Sequence, residues 1–193
     1  MRLRPGALVV LEGLDKAGKT TQRTALESIN WTSPKPLVTH MPSGLTELTN
    51  AIYETTEHHR ITSGLARQLL HLACHAENLP MLAAARLERG LIIDRWWWST
   101  VAYGWFGGLR AELREDAFFS TINMVWDDFA ADVVFLFLSA YEEDRHNLET
   151  VTEGYRWLAS RQQDTVVEVP AGPATSTTAF IVDELKRRNL VTE

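Results

Sequence analysis

One cysteine, Cys74, is all the thiol that this 193-residue chain carries. An intrachain disulfide is excluded, and a reducing compartment such as the cytoplasm fits. Positive charge is not in excess either: 19 Lys and Arg against 25 Asp and Glu give a formal net charge of −6, with no basic tract. That balance disfavours non-specific binding to a nucleic-acid backbone and leaves room only for a local basic groove. No apolar stretch reaches bilayer-spanning length, and the first residues run into a strand-like segment with no signal-peptide pattern, so no membrane partner is expected. Repeats, low-complexity tracts and linkers are missing as well. The remaining composition, 45% hydrophobic and 23% charged, is that of an ordinary globular protein. Its length suits one domain, 1–193.

Against these absences stands one dense signal. Gly13, Gly18, Lys19 and Thr20 satisfy G-x-x-x-x-G-K-[ST], the phosphate-binding loop. The apolar run Ala7–Leu11 precedes it, and Thr20–Ile29 can continue as a helix. Glycines let several backbone N–H groups converge on one anion, and the helix adds the positive end of its dipole. Lys19 would reach the β- and γ-phosphates of a nucleotide, and the Thr20 hydroxyl would help to hold Mg²⁺.

Further strand-like runs recur at Pro36–Thr39, Gly90–Ile93, Val133–Leu138 and Thr165–Val169. Leu65, Leu69, Leu72, Ala73, Ala76 and Leu79 repeat at helical spacing. Pro80 should kink that helix or separate it from the next, 81–88. The stretch 126–131 leads into the fourth strand, and Leu148–Arg161 reads as another helix. Apolar strands alternating with helices predict an α/β fold with a parallel sheet covered on both faces. Leu91–Arg95 is an apolar strand ending in an acid and a base. Ligands collect at the carboxyl ends of parallel strands, which would set Asp94 and Arg95 opposite the loop. A carboxylate there suits a Mg²⁺ hydration shell, and a guanidinium suits a phosphate; alone, the pair would read as a surface ion pair.

Taken together, Glu12–Thr21, Asp94–Tyr103 and Thr152–Tyr155 resemble thymidylate kinases, a family of P-loop nucleoside monophosphate kinases. The resemblance runs over nearly the whole chain and implies a five-stranded parallel sheet, ATP and Mg²⁺ as cofactors, a nucleoside monophosphate acceptor and a homodimer. It also implies site residues. Gly13, Lys16, Ala17, Gly18, Lys19, Thr20 and Thr21 bind ATP, while Thr20 and Asp94 serve the metal. Asp15 contacts the acceptor 3′-hydroxyl, and Pro42 with Gly44 forms a turn beside its phosphate. Arg95 holds that phosphate, Ser99 and Thr100 lie near the base, and Tyr103 crowds the 2′ position. Ser99 and Thr100 could instead cap a helix, and Tyr103 could be core.

Three departures set this chain apart from the family pattern. His71 and His75, four apart on one helix face, stand where phenylalanine stacks on thymine and arginine donates to a base carbonyl. If His75 lines the base, acceptor use should vary with pH across the imidazole range. His40 stands where an arginine helps to bind the acceptor phosphate. Finally, the lid is cut to 139–147, where Arg145 is the one arginine; Lys16, inside the loop, would replace the missing cations on the migrating phosphoryl group. The run Trp96-Trp97-Trp98 cannot share one helix face, so at least one ring should be partly exposed; core packing or a dimer surface is favoured over nucleotide stacking. His58-His59 reads as a solvated turn.

The expected activity is transfer of the ATP γ-phosphoryl to a deoxynucleoside monophosphate, with dTMP first. Alternatives are dUMP, a modified pyrimidine nucleotide or dGMP, or a catalytically weak nucleotide-binding regulator.

Overall fold

A computed structural model describes residues 1–126 and 129–192. Five strands form one parallel sheet in the order β3 (Leu37–His40), β4 (Leu91–Asp94), β2 (Leu8–Gly13), β5 (Val133–Phe137) and β6 (Val166–Glu168). Each expected strand is present, all five with ends moved by a residue or two. The central strands β2, β4 and β5 are buried along their whole length, which is why they read as continuous apolar runs.

Alternate side chains of these strands feed two cores. Leu8, Val10, Leu91, Ile93, Val134 and Leu136 face one side, where α3 (Gly64–Glu88), α5 (Glu115–Trp126) and α6 (Glu149–Ala159) pack. Val9, Leu11, Ile92, Val133, Phe135 and Phe137 face the other, against α1 (Lys19–Glu27) and α7 (Ala174–Arg187). The P-loop α/β fold with helices on both faces is therefore as the motifs indicate. A separate pair, β1 (Arg2–Leu3) antiparallel to β7 (Val191–Thr192), ties the two ends together and has no apolar run to announce it.

Pro80 does not divide two helices. α3 runs unbroken from Gly64 to Glu88, because Asn78 and Leu82, buried on either side of the proline, hold both halves to the core. α2 (Glu47–His58) lies in a stretch too polar to show helical periodicity; Thr46 caps it with a reciprocal bond to Thr49. His58 and His59 end that helix, exposed to solvent. Trp96 and Trp98 are buried in the core while Trp97 is half-buried, which is the split that three adjacent indoles require. Within 126–131, which leads into β5, Asp127 and Asp128 lie outside the described residues.

Register carries the topology into function. Leu11 and His40 both pair with Asp94, and Gly13 pairs with Phe137, so the carboxyl ends of four adjacent strands meet at one edge. The two strands that flank β2 leave it on either side, which makes this edge the crevice where ligands bind in such sheets.

Candidate active site

The loop between β2 and α1 wraps around a hollow built by backbone geometry. Gly13 has φ 131°, and a Cβ there would stand 2.0 Å from the carbonyl oxygen of Phe137, so no other residue fits. Lys16 and Gly18 also take left-handed backbone, with φ of 55° and 93°. Ala17 and Gly18 are partly open, and Thr20 and Thr21 stand exposed on the first turn of α1. Lys19 is buried, and its ammonium donates to the carbonyls of Gly13, at 3.0 Å, and Leu14. Burial, and then the Arg95 charge, pull its pKa down to about 7. Carbonyls are weak substitutes for an anion, so this ammonium is set to move onto phosphate.

Across the edge, Asp94 is 1% exposed and neither of its oxygens has a hydrogen-bond partner among the described residues. Its nearest cation is Arg23, 3.8 Å away. Burial raises the Asp94 pKa, against the pull of Lys19, Arg95 and Arg23. A buried carboxylate lacking donors is a costly arrangement unless something cationic or hydrated joins it. Asp94 and the Thr20 hydroxyl therefore suit a hydrated Mg²⁺.

Arg95 is the hub. Its own backbone is left-handed, φ 72°, an uncommon state for a side-chain-bearing residue that clusters at functional sites. Glu12 imposes it: this fully buried carboxylate accepts from the N–H groups of Trp96, at 2.6 Å, and Ser99, at 3.0 Å, and from the hydroxyls of Ser99 and Tyr155. The guanidinium pairs with Asp15, donates to Ser99 Oγ at 2.8 Å and lies 5.3 Å from the Tyr103 ring centre. The Tyr103 hydroxyl accepts from the Asp15 N–H at 2.8 Å and donates to Asn147. Asp15, Arg95, Ser99 and Tyr103 are thus one connected cluster. Thr100 is buried where the short helix α4 (Trp97–Ser99) widens into a π-helical segment, Thr100–Phe106.

His40 and the Met41–Gly44 turn close the far side. Gly44 N–H donates to the His40 carbonyl, and the buried Asn78 amide binds the Pro42 carbonyl and the Leu45 N–H. Burial, followed by the charges of Arg95, Arg23 and Lys19, lowers the His40 pKa to about 3. This imidazole stays neutral, and the nearby cation on α1 is Arg23, beside Asp94.

The histidines of α3 require a correction. His75 is buried, and its Nδ1 accepts the indole N–H of Trp126 at 3.1 Å. Burial, then His71 and His40, depress its pKa to about 3; His71 is lowered to about 4, chiefly by burial. Such lowered values keep both imidazoles neutral in the free protein near pH 7, which argues against the pH-dependent donor expected at His75. An indole can only donate, so neutral His75 must carry its proton on Nε2.

On the opposite side of the loop a cleft of about 390 Å³ is lined by Ala17, Thr21, Tyr141, Pro170 and Gly172, among others. Ser139, Ala140 and Tyr141, from the segment after β5, rim it. Lys16 does not face the phosphate hollow: its ammonium lies 3.3 Å from Glu142 and 3.9 Å from Asp144. Arg145 is exposed and donates to His146. Asn147 joins lid to loop by donating to the Asp15 carbonyl at 2.8 Å and accepting its N–H.

A sequence model of the family described as thymidylate kinase matches residues 11–139. The chain belongs to the thymidylate kinase family. A probable thymidylate kinase of Pyrococcus abyssi is 36% identical over 118 residues, 55% of this chain and 56% of that protein. The chain thus spans about half the length of the first curated relatives that it matches. A thymidylate kinase of Synechococcus sp. CC9311 is 32% identical over 78% of this chain and 82% of its own. The fold matches the crystal structure of thymidylate kinase from Ehrlichia chaffeensis with TM-score 0.73 at 21% identity, over 93% and 98% of the two chains. For the Candida albicans thymidylate kinase the score is 0.69 at 17% identity, over 98% and 96%.

The structure gathers Asp15, Lys19, His40, Asp94, Arg95, Ser99 and Tyr103 at one edge, while Lys16 and Arg145 stay with the lid. Arg23 and Asn147 escaped the sequence reading. Arg23 lies four residues after Lys19, hence on its helix face, and that spacing was the available signal. For Asn147 there was none, since its bond to Asp15 spans 132 residues.

Proposed function

We propose that this chain transfers the γ-phosphoryl group of ATP to a deoxynucleoside monophosphate, dTMP first. The observation that carries this reading is the meeting of the Lys19 loop with the unpartnered Asp94 carboxylate and the Arg95 cluster at one sheet edge. In this reading Ala17, Gly18, Thr20 and Thr21 cradle ATP, whose base enters the cleft beneath Tyr141. Lys19 exchanges the Gly13 and Leu14 carbonyls for the β- and γ-phosphates. Thr20 and Asp94 would hold Mg²⁺, which when bound would neutralise charge on the phosphates. Arg95 leaves Asp15 to bind the acceptor phosphate, which frees Asp15 for the sugar 3′-hydroxyl, while Tyr103 crowds the 2′ position. An acceptor phosphate oxygen then attacks the γ-phosphorus, the bond to the β-bridging oxygen breaks, and ADP and a nucleoside diphosphate leave. Residues 139–147 act as the lid of a single domain, with Lys16 and Arg145 as its cations. A cytoplasmic homodimer completes the reading, and sedimentation tests the dimer.

A coupled assay of ATP consumption over a panel of nucleoside monophosphates tests the activity. Turnover should be highest with dTMP or another deoxynucleotide, and Lys19→Ala should remove about 3–4 kcal/mol of transition-state stabilisation, a hundredfold or more in rate. Nucleotide binding with no turnover on any acceptor would favour the regulator instead.

A further inference from the structure

Gln68 sits in the second turn of α3 with 6% of its surface exposed, and its Oε1 finds no hydrogen-bond partner among the described residues. His71 Nε2, three residues on, is in the same state. Residues at that spacing share a helix face, so both unpaired side chains lie on one face of α3. The amide is held in place: a Cβ on Gly104 would stand 2.8 Å from its Cδ and 3.0 Å from its Nε2. Gly104 follows Tyr103 in the π-helical segment, so the amide packs against backbone next to a member of the Arg95 cluster. His71 feels the Arg95 charge, and His75 continues the same face with a proton on Nε2. A buried polar group without a partner destabilises a free protein, and a core glutamine with no bond to make has no packing advantage over leucine.

We propose that Gln68 is a base-contacting residue of the acceptor site and that, with His75, it selects bases with an imide edge. The inference rests on the acceptor reading given above. A primary amide offers an acceptor beside a donor, which complements a ring N–H beside a carbonyl. His75 adds a donor alone, so it accommodates a carbonyl oxygen and opposes an exocyclic amine. The substrate class is therefore a thymine-, uracil- or guanine-type nucleotide, and cytosine- and adenine-type nucleotides are disfavoured.

Calorimetric binding of dTMP and dCMP to wild type, Gln68→Leu and Gly104→Ala, together with kcat, KM and thermal midpoints, provides the test. Gln68→Leu should weaken dTMP binding at least tenfold, narrow its margin over dCMP, leave the KM for ATP within twofold and leave the thermal midpoint unchanged or higher. Gly104→Ala, which displaces the amide, should repeat the loss of dTMP binding. A Gln68→Leu protein with a lower midpoint and unaltered dTMP binding makes Gln68 a core residue and overturns the inference. Wild-type binding of dTMP without turnover would sink the proposed activity while still measuring Gln68. Binding of no nucleoside monophosphate by the wild type would overturn both.

Discussion

Single residues here are set by what burial leaves them to bond with. Lys19 shows this most directly, since its pKa near 7 belongs to a buried ammonium that hydrogen-bonds only to carbonyls and lies near the Arg95 charge. Phosphates stabilise the charged form, so nucleotide binding should raise that pKa. Below about 7 the free protein already carries the proton and binds at full strength. As pH rises above 7 the free lysine loses it, and apparent ATP affinity should fall between pH 7 and 9 with uptake of up to one proton. Titration calorimetry in buffers of different ionisation enthalpy reads this; binding with no proton uptake at pH 8 would place the lysine pKa well above the value burial gives it. Trp126 acts on another residue, by holding His75 in the Nε2–H form. Trp126→Phe removes the indole donor and frees the other tautomer, so the preference for dTMP over dCMP should drop about fivefold, on the order of 1 kcal/mol for one hydrogen bond. An unaltered ratio would show that the His75 tautomer does not reach the base.

Among the elements, the segment 139–147, proposed above as the lid, is the shortened one in the pattern that the resemblance implies. Between Phe137 and Glu149 only a short loop remains, and its acids Glu142 and Asp144 hold Lys16 away from the phosphate hollow. The contact is solvent-exposed and weak, so a bound triphosphate can outcompete it. Lys16→Gly should therefore cut kcat tenfold or more while ATP affinity stays within a few-fold, the pattern of a contact made mainly in the transition state. Loss of affinity with kcat preserved would make Lys16 a ground-state contact, and Arg145→Ala separates the second lid cation in the same assay. The elements also show what local reading can reach. The central strands were legible because burial on both faces makes them apolar throughout, the edge strands β3 and β6 because each keeps a short apolar pair, and α1 because the loop motif announces it. α2 was not, since its half-buried face carries threonines, and the continuity of α3 through Pro80 depends on a core that the local sequence does not display.

For the whole molecule the sheet edge is also a concentration of buried titratable groups. His40, His71 and His75 have folded pKa values of about 3, 4 and 3, against 6.5 in an open chain. Lowered imidazole pKa values mean that the unfolded chain takes up protons the folded chain refuses. Stability is therefore full above pH 6.5 and falls as the pH drops from 6.5 toward 4. The thermal midpoint should decline over that interval, and His75→Phe should flatten the decline. A midpoint constant from pH 7 to 4.5 would mean that these imidazoles are open to water.

Sequence alone determined the chemistry that is local. A loop that must wrap an anion needs glycines and a lysine at set spacings, and a strand buried on both faces needs apolar residues, so Gly13, Lys19, Asp94 and the three central strands could be read directly. The tertiary structure decided everything that depends on distant partners. Glu12 holds the backbone beside Arg95 across more than eighty residues, Asn147 clasps Asp15 across 132, Arg23 approaches Asp94 from another element, and Trp126 sets the proton on His75. A hydrogen bond depends on where two groups meet in space, and spacing along a chain carries that information only within a helix turn or a strand pair.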